Sequence, residues 1–390
     1  MVGMASIPPL KHLLMKTVRR LIYRDLIGSI SYVCAGFLSL FFFFDLVDEL
    51  SSVGIQNYQL IHAFAYVLLQ IPGHLYELLP IGVLIGGVLV MARFAQSSEF
   101  TILRTSGLGP QKALKILLLL GAGFVVLTFA IGDYLSPLAN RTAQLLKAKY
   151  QGTVTLGQTG AWLKEQQLYS RYAVNVGALD GDGNMAGVRI YEFDTTNKIV
   201  STTTAAQGQF QDGAWALTHA KRIEFPVQKQ DSWQIKFDDA IQKHTPLSVL
   251  NLQEYRWPTE INAQMVSVSL LKPERMATYD LFRYVQHLDS NGQSAQLYEI
   301  EFWKKLFYPL SCLVMLMLAL PFAYLHFRTS GIAGYVFGGV ITGISFFLLN
   351  NVFGYVGTIS QWEPWVAAAA PSLIYFAVSL GAFAWVVYKK

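Results

Sequence analysis

His74 and Glu77 stand three residues apart in a long apolar run, the spacing that sets an imidazole and a carboxylate on one helix face. Such a pair suits acid–base work inside a membrane, or it can satisfy itself at the membrane boundary. Pro72 and Pro80 bracket it and favour the second role. The remaining titratable residues offer less. The seven histidines are scattered without metal-ligand spacing, and no HExxH occurs. No GxxxxGK[ST] phosphate loop or Gly-x-Ser-x-Gly elbow is present; the nearest Gly-rich text, starting at Gly107, lacks the spacing and follows a helical stretch. Asp133 and Asp238-Asp239 read as outer-face carboxylates. Cys34 and Cys312 both fall in apolar runs and read as small buried or lipid-facing residues. No catalytic residue, metal site or cofactor is therefore expected. A transferase acting on lipid headgroups would need a convergent acid–base or metal set that these residues do not form.

A second group of residues suits docking. Ser97-Ser98 can cap a short helix, Glu99 falls in its positive first turn, and Gly107 can end it. Phe100 and Leu103 then share a face. On these residues alone the helix is either a docking element for a partner or a solvated connector. A third group is basic: Arg141, Lys147 and Lys149, then Lys304 and Lys305. Each is either an anion contact or a side chain snorkelling to the interface.

The elements that carry these residues are membrane spans. The chain is 53% hydrophobic and 14% charged, against about 25% charged in a soluble domain. A helix crossing the hydrocarbon core needs about 20 apolar residues. Six segments qualify: Leu26–Phe44, a stretch within Leu60–Met91, Ile116–Leu135, Trp303–Leu325, Ile332–Val356 and Trp365–Tyr388. The second is overlong and holds both prolines, so an interfacial or kinked first part is expected. Asp45, directly after four phenylalanines, should mark the outer end of the first span, because an Asp at a helix centre costs about 2.5–3.5 kcal/mol.

The net charge of +5 reflects basic residues beside apolar segments rather than a nucleic-acid-binding face. Lys11, Lys16, Arg19, Arg20 and Arg24 precede the first span; Arg93, Arg104, Lys112 and Lys115 follow the second; Arg328 follows the fourth; and Lys389-Lys390 end the chain. Acidic Asp45, Asp48, Glu49 and Glu363 occupy the alternate loops. Both termini are thereby expected in the cytoplasm, with a start that is not a cleaved signal.

Between Pro137 and Trp303 the composition shifts to Gly, Thr, Gln and Asp. Expected strands are Thr153–Leu156, Gln167–Val176, Gly187–Phe193, Lys198–Ala206, Trp215–Thr218, Arg222–Val227 and Trp233–Ala240, with turns at Asp180–Asn184 and Gln211-Asp212-Gly213. Seven short strands without helices favour a sandwich or jelly roll. The fold class is then a polytopic α-helical membrane protein of six transmembrane helices with an inserted periplasmic β-jellyroll-like domain. Residues 1–136 would hold three spans and a short helix near 97–107, residues 137–301 the β domain with a helix near 276–289, and residues 302–390 three more spans.

Four stretches carry a resemblance. They are Leu79 to Gly109, Ala130 to Pro137 (AIGDYLSP), Phe302 to Leu320, and Gly343 to Gly354 (GISFFLLNNVFG). Together they resemble the LptF/LptG permeases of the bacterial lipopolysaccharide exporter, more closely on the LptG side, nearly end to end. The resemblance implies an inner-membrane ABC transporter subunit that extracts lipopolysaccharide. Its implied partners are an LptF-like permease, two copies of an LptB-like ATPase and an LptC-like periplasmic bridge protein. It matches Glu99 to a family Glu that meets the ATPase, with Phe100, Leu103 and Arg104 expected beside it, and Lys147 and Lys305 to basic family positions, with Arg141 and Lys149 expected to join them at the lipid headgroup. Phe37, Phe41 and Phe44 on the first span and Phe346, Leu349 and Phe353 on the fifth would line the lipid cavity and gate. The family's lysines at the outer end of the first span are replaced here by Asp45, Ser51 and Ser52. The rival readings are a permease for another lipid or lipoprotein, and a scaffold that transports nothing.

Overall fold

In the computed structural model, the described residues are 10–55, 57–97, 99–105, 108–151, 161–179, 184–225, 248–263, 265–266, 273–324 and 332–388. The expected strands Thr153–Leu156 and Trp233–Ala240 lie outside them. So do Ser98, Gly107, Asp180 to Gly183, Val227, Asp238, Asp239, Leu325, Arg328, Lys389, Lys390 and the side chains of Lys11, Lys16, Phe100 and Arg104.

Six helical segments are long and apolar enough to cross a membrane. The first is α1 (Leu10–Leu50) and the second α2 (Leu60–Gln96). The short α3 (Glu99–Thr105) follows. The third span joins α4 (Pro110–Ala130), a π-turn at Ile131–Leu135, and the start of α5 (Ser136–Gln151). After the inserted domain, with its α6 (Thr278–Ser290), the fourth span runs through α7 (Gln296–Phe307) and α8 (Ser311–Ala319). The fifth and sixth are α9 (Ile332–Ile359) and α10 (Pro364–Tyr388).

The second span does not break at its prolines. Pro72 and Pro80 lie inside one helix of 37 residues. Pro80 withdraws a backbone donor from its turn, and the Tyr308 hydroxyl supplies one nearby, to the Glu77 carbonyl at 2.6 Å.

The second and fourth spans form the middle of the bundle. Their apolar stretches are 83% and 67% buried, against 11% to 28% for the other four. Lipid is as apolar as leucine, so close packing rather than hydrophobicity must hold such helices together. Gly86 meets that need: a Cβ there would lie 2.8 Å from the Ile30 Cα of the first span. Gly87 faces Ala319 of the fourth span, and Gly343 of the fifth faces Ile81. Gly334 and Gly338 of the fifth span, also four apart, meet nothing within 4 Å.

The inserted domain holds a six-stranded antiparallel sheet in which each described strand pairs with the next in sequence. The strands are β1 (Ala161–Gln166), β2 (Arg171–Leu179), β3 (Met185–Phe193), β4 (Ile199–Gln211), β5 (Ala214–Glu224) and β6 (Ser248–Pro258). Asp212 and Gly213, with φ of 47° and 72°, make the tight β4–β5 turn that Asp-Gly chemistry favours. Asp194 organises the β3–β4 turn by accepting from the Thr196 and Lys198 amides at 2.8 and 2.9 Å, and those hydrogen bonds lower its carboxyl pKa. The expected strands Trp215–Thr218 and Arg222–Val227 merge into β5, and the apparent gap between them is His219, at φ 52°.

The sheet curls until its first strand meets the chain beyond its last. Glu165 of β1 is buried and accepts from the Thr259 hydroxyl and, at 3.0 Å, from the Glu260 amide. Gln167 reaches the Pro258 carbonyl at 3.1 Å. Inside lie Trp215 and Trp257, with the Trp215 indole donating to the Ile261 carbonyl at 2.7 Å. Each such ring removes roughly 150–250 Å² from water, worth about 4–6 kcal/mol.

Candidate functional site

The short α3 sits in the connection between the second and third spans. Ser97 does not cap it: its hydroxyl bonds back to the Arg93 carbonyl at 3.0 Å and so closes α2. Glu99 is exposed in the first turn. Leu103 is half-buried against the core of its own helical bundle, and its carbonyl accepts from the Leu108 amide at 3.0 Å, turning the chain into α4. Among the described side chains of α3, the apolar one left outside is Ile102, 63% exposed and three residues from Glu99. Sequence spacing had paired Phe100 with Leu103 and passed over Ile102.

Lys305, expected at the lipid headgroup, is placed inside the bundle. It is 5% exposed and donates to the Gly132 carbonyl at 2.8 Å, with its ammonium 5.6 Å from the centre of the Tyr76 ring. A carbonyl in the π-turn of the third span thus receives a charge from the fourth across a ring of the second. Residue 132 must be glycine, because a Cβ would enter the Tyr76 ring. The neighbouring Lys304 pairs with Glu301 at 2.6 Å, and its ammonium lies over Gly354 of the fifth span. These two lysines fasten spans to each other.

The partner that the structure gives His74 is not on its own helix face. His74 instead meets Asp45 near the end of the first span at 2.6 Å, and Phe41 stacks on its ring at 5.0 Å. The helix that carries Asp45 continues to Leu50. At the other end of the first span Asp25 meets Arg93 at 2.5 Å. The most exposed of the six spans is therefore held to the second by a polar contact near each end, with Gly86 and Ile30 in contact between them. Neither pair was read from the sequence; an Asp next to four apolar residues on a helix was the available signal.

The expected cavity residues separate by position. Phe41 and Phe44 are exposed, and Phe37, Leu349 and Phe353 are half-buried. Phe346 is 1% exposed, stacked on Tyr308 at 6.3 Å and edge-on to Tyr375 at 5.2 Å, so it is core. In the other compact unit, which includes the sheet, Arg141 and Lys149 of α5 are exposed, and the Lys147 ammonium lies 4.8 Å over the Tyr66 ring. Glu192 of β3, Arg222 of β5 and Tyr255 of β6 form a linked polar group, with Arg222 bonded to both at 2.9 and 2.7 Å. Among the described residues, no three His, Cys, Asp or Glu side chains are placed to hold a metal ion.

These features can be set beside known proteins. The sequence profile of the family described as lipopolysaccharide export system permease LptF/LptG matches residues 20–386. The chain is 26% identical over 348 residues to the lipopolysaccharide export system permease protein LptG of Escherichia coli K12, covering 88% of this chain and 90% of that protein. It is 23% identical over 366 residues to the protein of the same description from Haemophilus influenzae, covering 93% and 96%. With the profile spanning nearly all of it, the chain belongs to the LptF/LptG family.

Proposed function

We propose that this chain is a membrane subunit of an ABC transporter that extracts lipopolysaccharide from the bacterial inner membrane and passes it to a periplasmic bridge. The observation that carries the reading is the family match across residues 20–386, on a chain ordered as three spans, a sheet domain and three spans. Its partners in this reading are an LptF-like permease, two LptB-like ATPase copies and an LptC-like bridge protein. ATP hydrolysis belongs to the ATPase, since this sequence has no phosphate loop. Both termini and α3 lie on the cytoplasmic side, where Arg19, Arg20, Arg24, Arg93, Lys112 and Lys115 gather, and the sheet domain lies in the periplasm.

Force from the ATPase enters through α3. Glu99 meets a basic group, and Ile102, with Phe100 and Arg104, completes the contact, while Leu103 ties the helix to the bundle. Acyl chains face Phe37, Phe41 and Phe44 of the first span and Leu349 and Phe353 of the fifth. The headgroup phosphates meet Arg141, Lys147 and Lys149. Lys305 and Phe346 serve from inside, by keeping the spans in register.

ATP-driven release of lipopolysaccharide from the reconstituted complex tests this. Truncating one member of a buried charge pair costs about 2–5 kcal/mol. Glu99→Ala should weaken ATPase copurification and slow release, Glu99→Lys should do so more severely, and a charge swap on the ATPase should restore part of the loss. Normal release by Glu99→Lys would remove α3 from the coupling route. Release of another lipid, with lipopolysaccharide retained, would overturn the substrate.

A further inference from the structure

We infer that the basic end of the first and third spans holds a binding site for an anionic phospholipid of the adjoining leaflet, separate from the export route. Arg19, Arg20, Tyr23 and Arg24 of α1 and Leu119 of α4 line an open groove of about 560 Å³. That size is within the range of small-ligand sites. The Tyr23 hydroxyl donates to the Ile116 carbonyl at 3.0 Å, so the two helices that wall the groove are joined at its floor.

Among the described residues, one ion pair reaches these three arginines, between Arg24 and Asp25. Arg19, Arg20 and Arg24 are all exposed. Asp25 is shared: its Oδ2 meets Arg93 at 2.5 Å, and its Oδ1 meets the Arg24 Nε at 3.4 Å. Arg20 and Arg24 are four apart on a helix, where like charges repel. A phosphate between them removes that repulsion and suits the guanidinium fork, which binds two oxygens at once. Leu119 lies about one helical turn beyond Ile116, further from the start of the third span, and is 59% exposed. The groove is thus basic at the span ends and apolar deeper along them, the order of a phosphorylated headgroup and its acyl chain. Its placement in the cytoplasmic leaflet rests on the orientation proposed above.

The test is lipid binding by the delipidated full-length chain, followed by native mass spectrometry with phosphatidylglycerol and phosphatidylcholine as probes. It needs neither ATPase activity nor export, and in detergent it does not depend on orientation, so its failure is distinct from failure of the permease reading. The tightest site should prefer phosphatidylglycerol, and each Arg→Gln change at positions 19, 20 and 24 should weaken it roughly five-fold. The triple Gln variant should lose the preference, and the triple Lys variant should keep most of it. Soluble glycerol phosphate should not compete at matched concentration. The assignment is overturned if the triple Gln variant keeps the parent's preference, if glycerol phosphate competes equally, or if purified lipopolysaccharide displaces phosphatidylglycerol from this site at equal concentration. It is also overturned if only an acidic protein partner, and neither lipid, is lost on the Gln changes.

Discussion

On the inner side of α6, His287 is buried beside β1 and the chain beyond β6, and burial pushes its pKa below the usual histidine value. Glu165, the Lys164 backbone and Glu260 push the other way without reversing it. The unfolded chain, with a histidine near 6.5, therefore takes up the proton first on acidification. Stability from this group is full above about pH 6.5 and is lost as pH falls toward the lower folded value. The melting midpoint of the full chain should drop between about pH 7.5 and 5.5, and His287→Gln should flatten that slope. An unchanged slope in the variant would place the acid sensitivity elsewhere. Residues of this kind were invisible beforehand, because His287 reads as one of seven scattered histidines until α6 is laid on the sheet. Lys305 is similar: its type and place beside an apolar run suggested a headgroup contact, and only the π-turn carbonyl of Gly132, far away in sequence, shows its work.

For whole elements, sequence and structure agree where one local signal decides. The spans were legible because length and hydropathy alone define them, and the β4–β5 turn because Asp-Gly at 212 and 213 has few other uses. Strands β1 and β6 were missed. The first is only six residues long, and the second, SVLNLQEYRWP, is mostly exposed and breaks the alternation that marks a half-buried strand. The tie between the first two spans depends on tertiary contact and was equally hidden, yet the chain carries its own probes for it. Cys34 sits on the first span against Gly82, while Cys312 is buried in the fourth beside Thr128. Asp45→Asn and Asp25→Asn should each speed maleimide labelling of Cys34 and leave Cys312 unchanged. The two effects should combine almost independently, because the pairs lie near opposite ends of the span. Faster labelling at both cysteines would signal general loosening instead.

In the molecule as a whole, the central helices are the second and fourth, and the sheet domain lies between them in sequence. This arrangement has a consequence in time. Roughly 150 residues separate the end of the third span from the start of the fourth. At about 5–20 residues per second they take on the order of 10–30 s to synthesise. Throughout that interval Gly87 and Val88 of the second span lack Ala319 and Gly339, their eventual neighbours, and face lipid or an insertion factor. Biogenesis must therefore shelter a half-made bundle while the sheet domain is made and folds. A chain stopped after α6 should be degraded several-fold faster in pulse-chase than the complete chain, and co-expressing residues 291–390 separately should lengthen its life. Equal lifetimes with and without that fragment would mean that the first three spans are stable alone. Each newly made molecule thus spends its first seconds as an orphan, and its survival to function depends on the tail arriving in time.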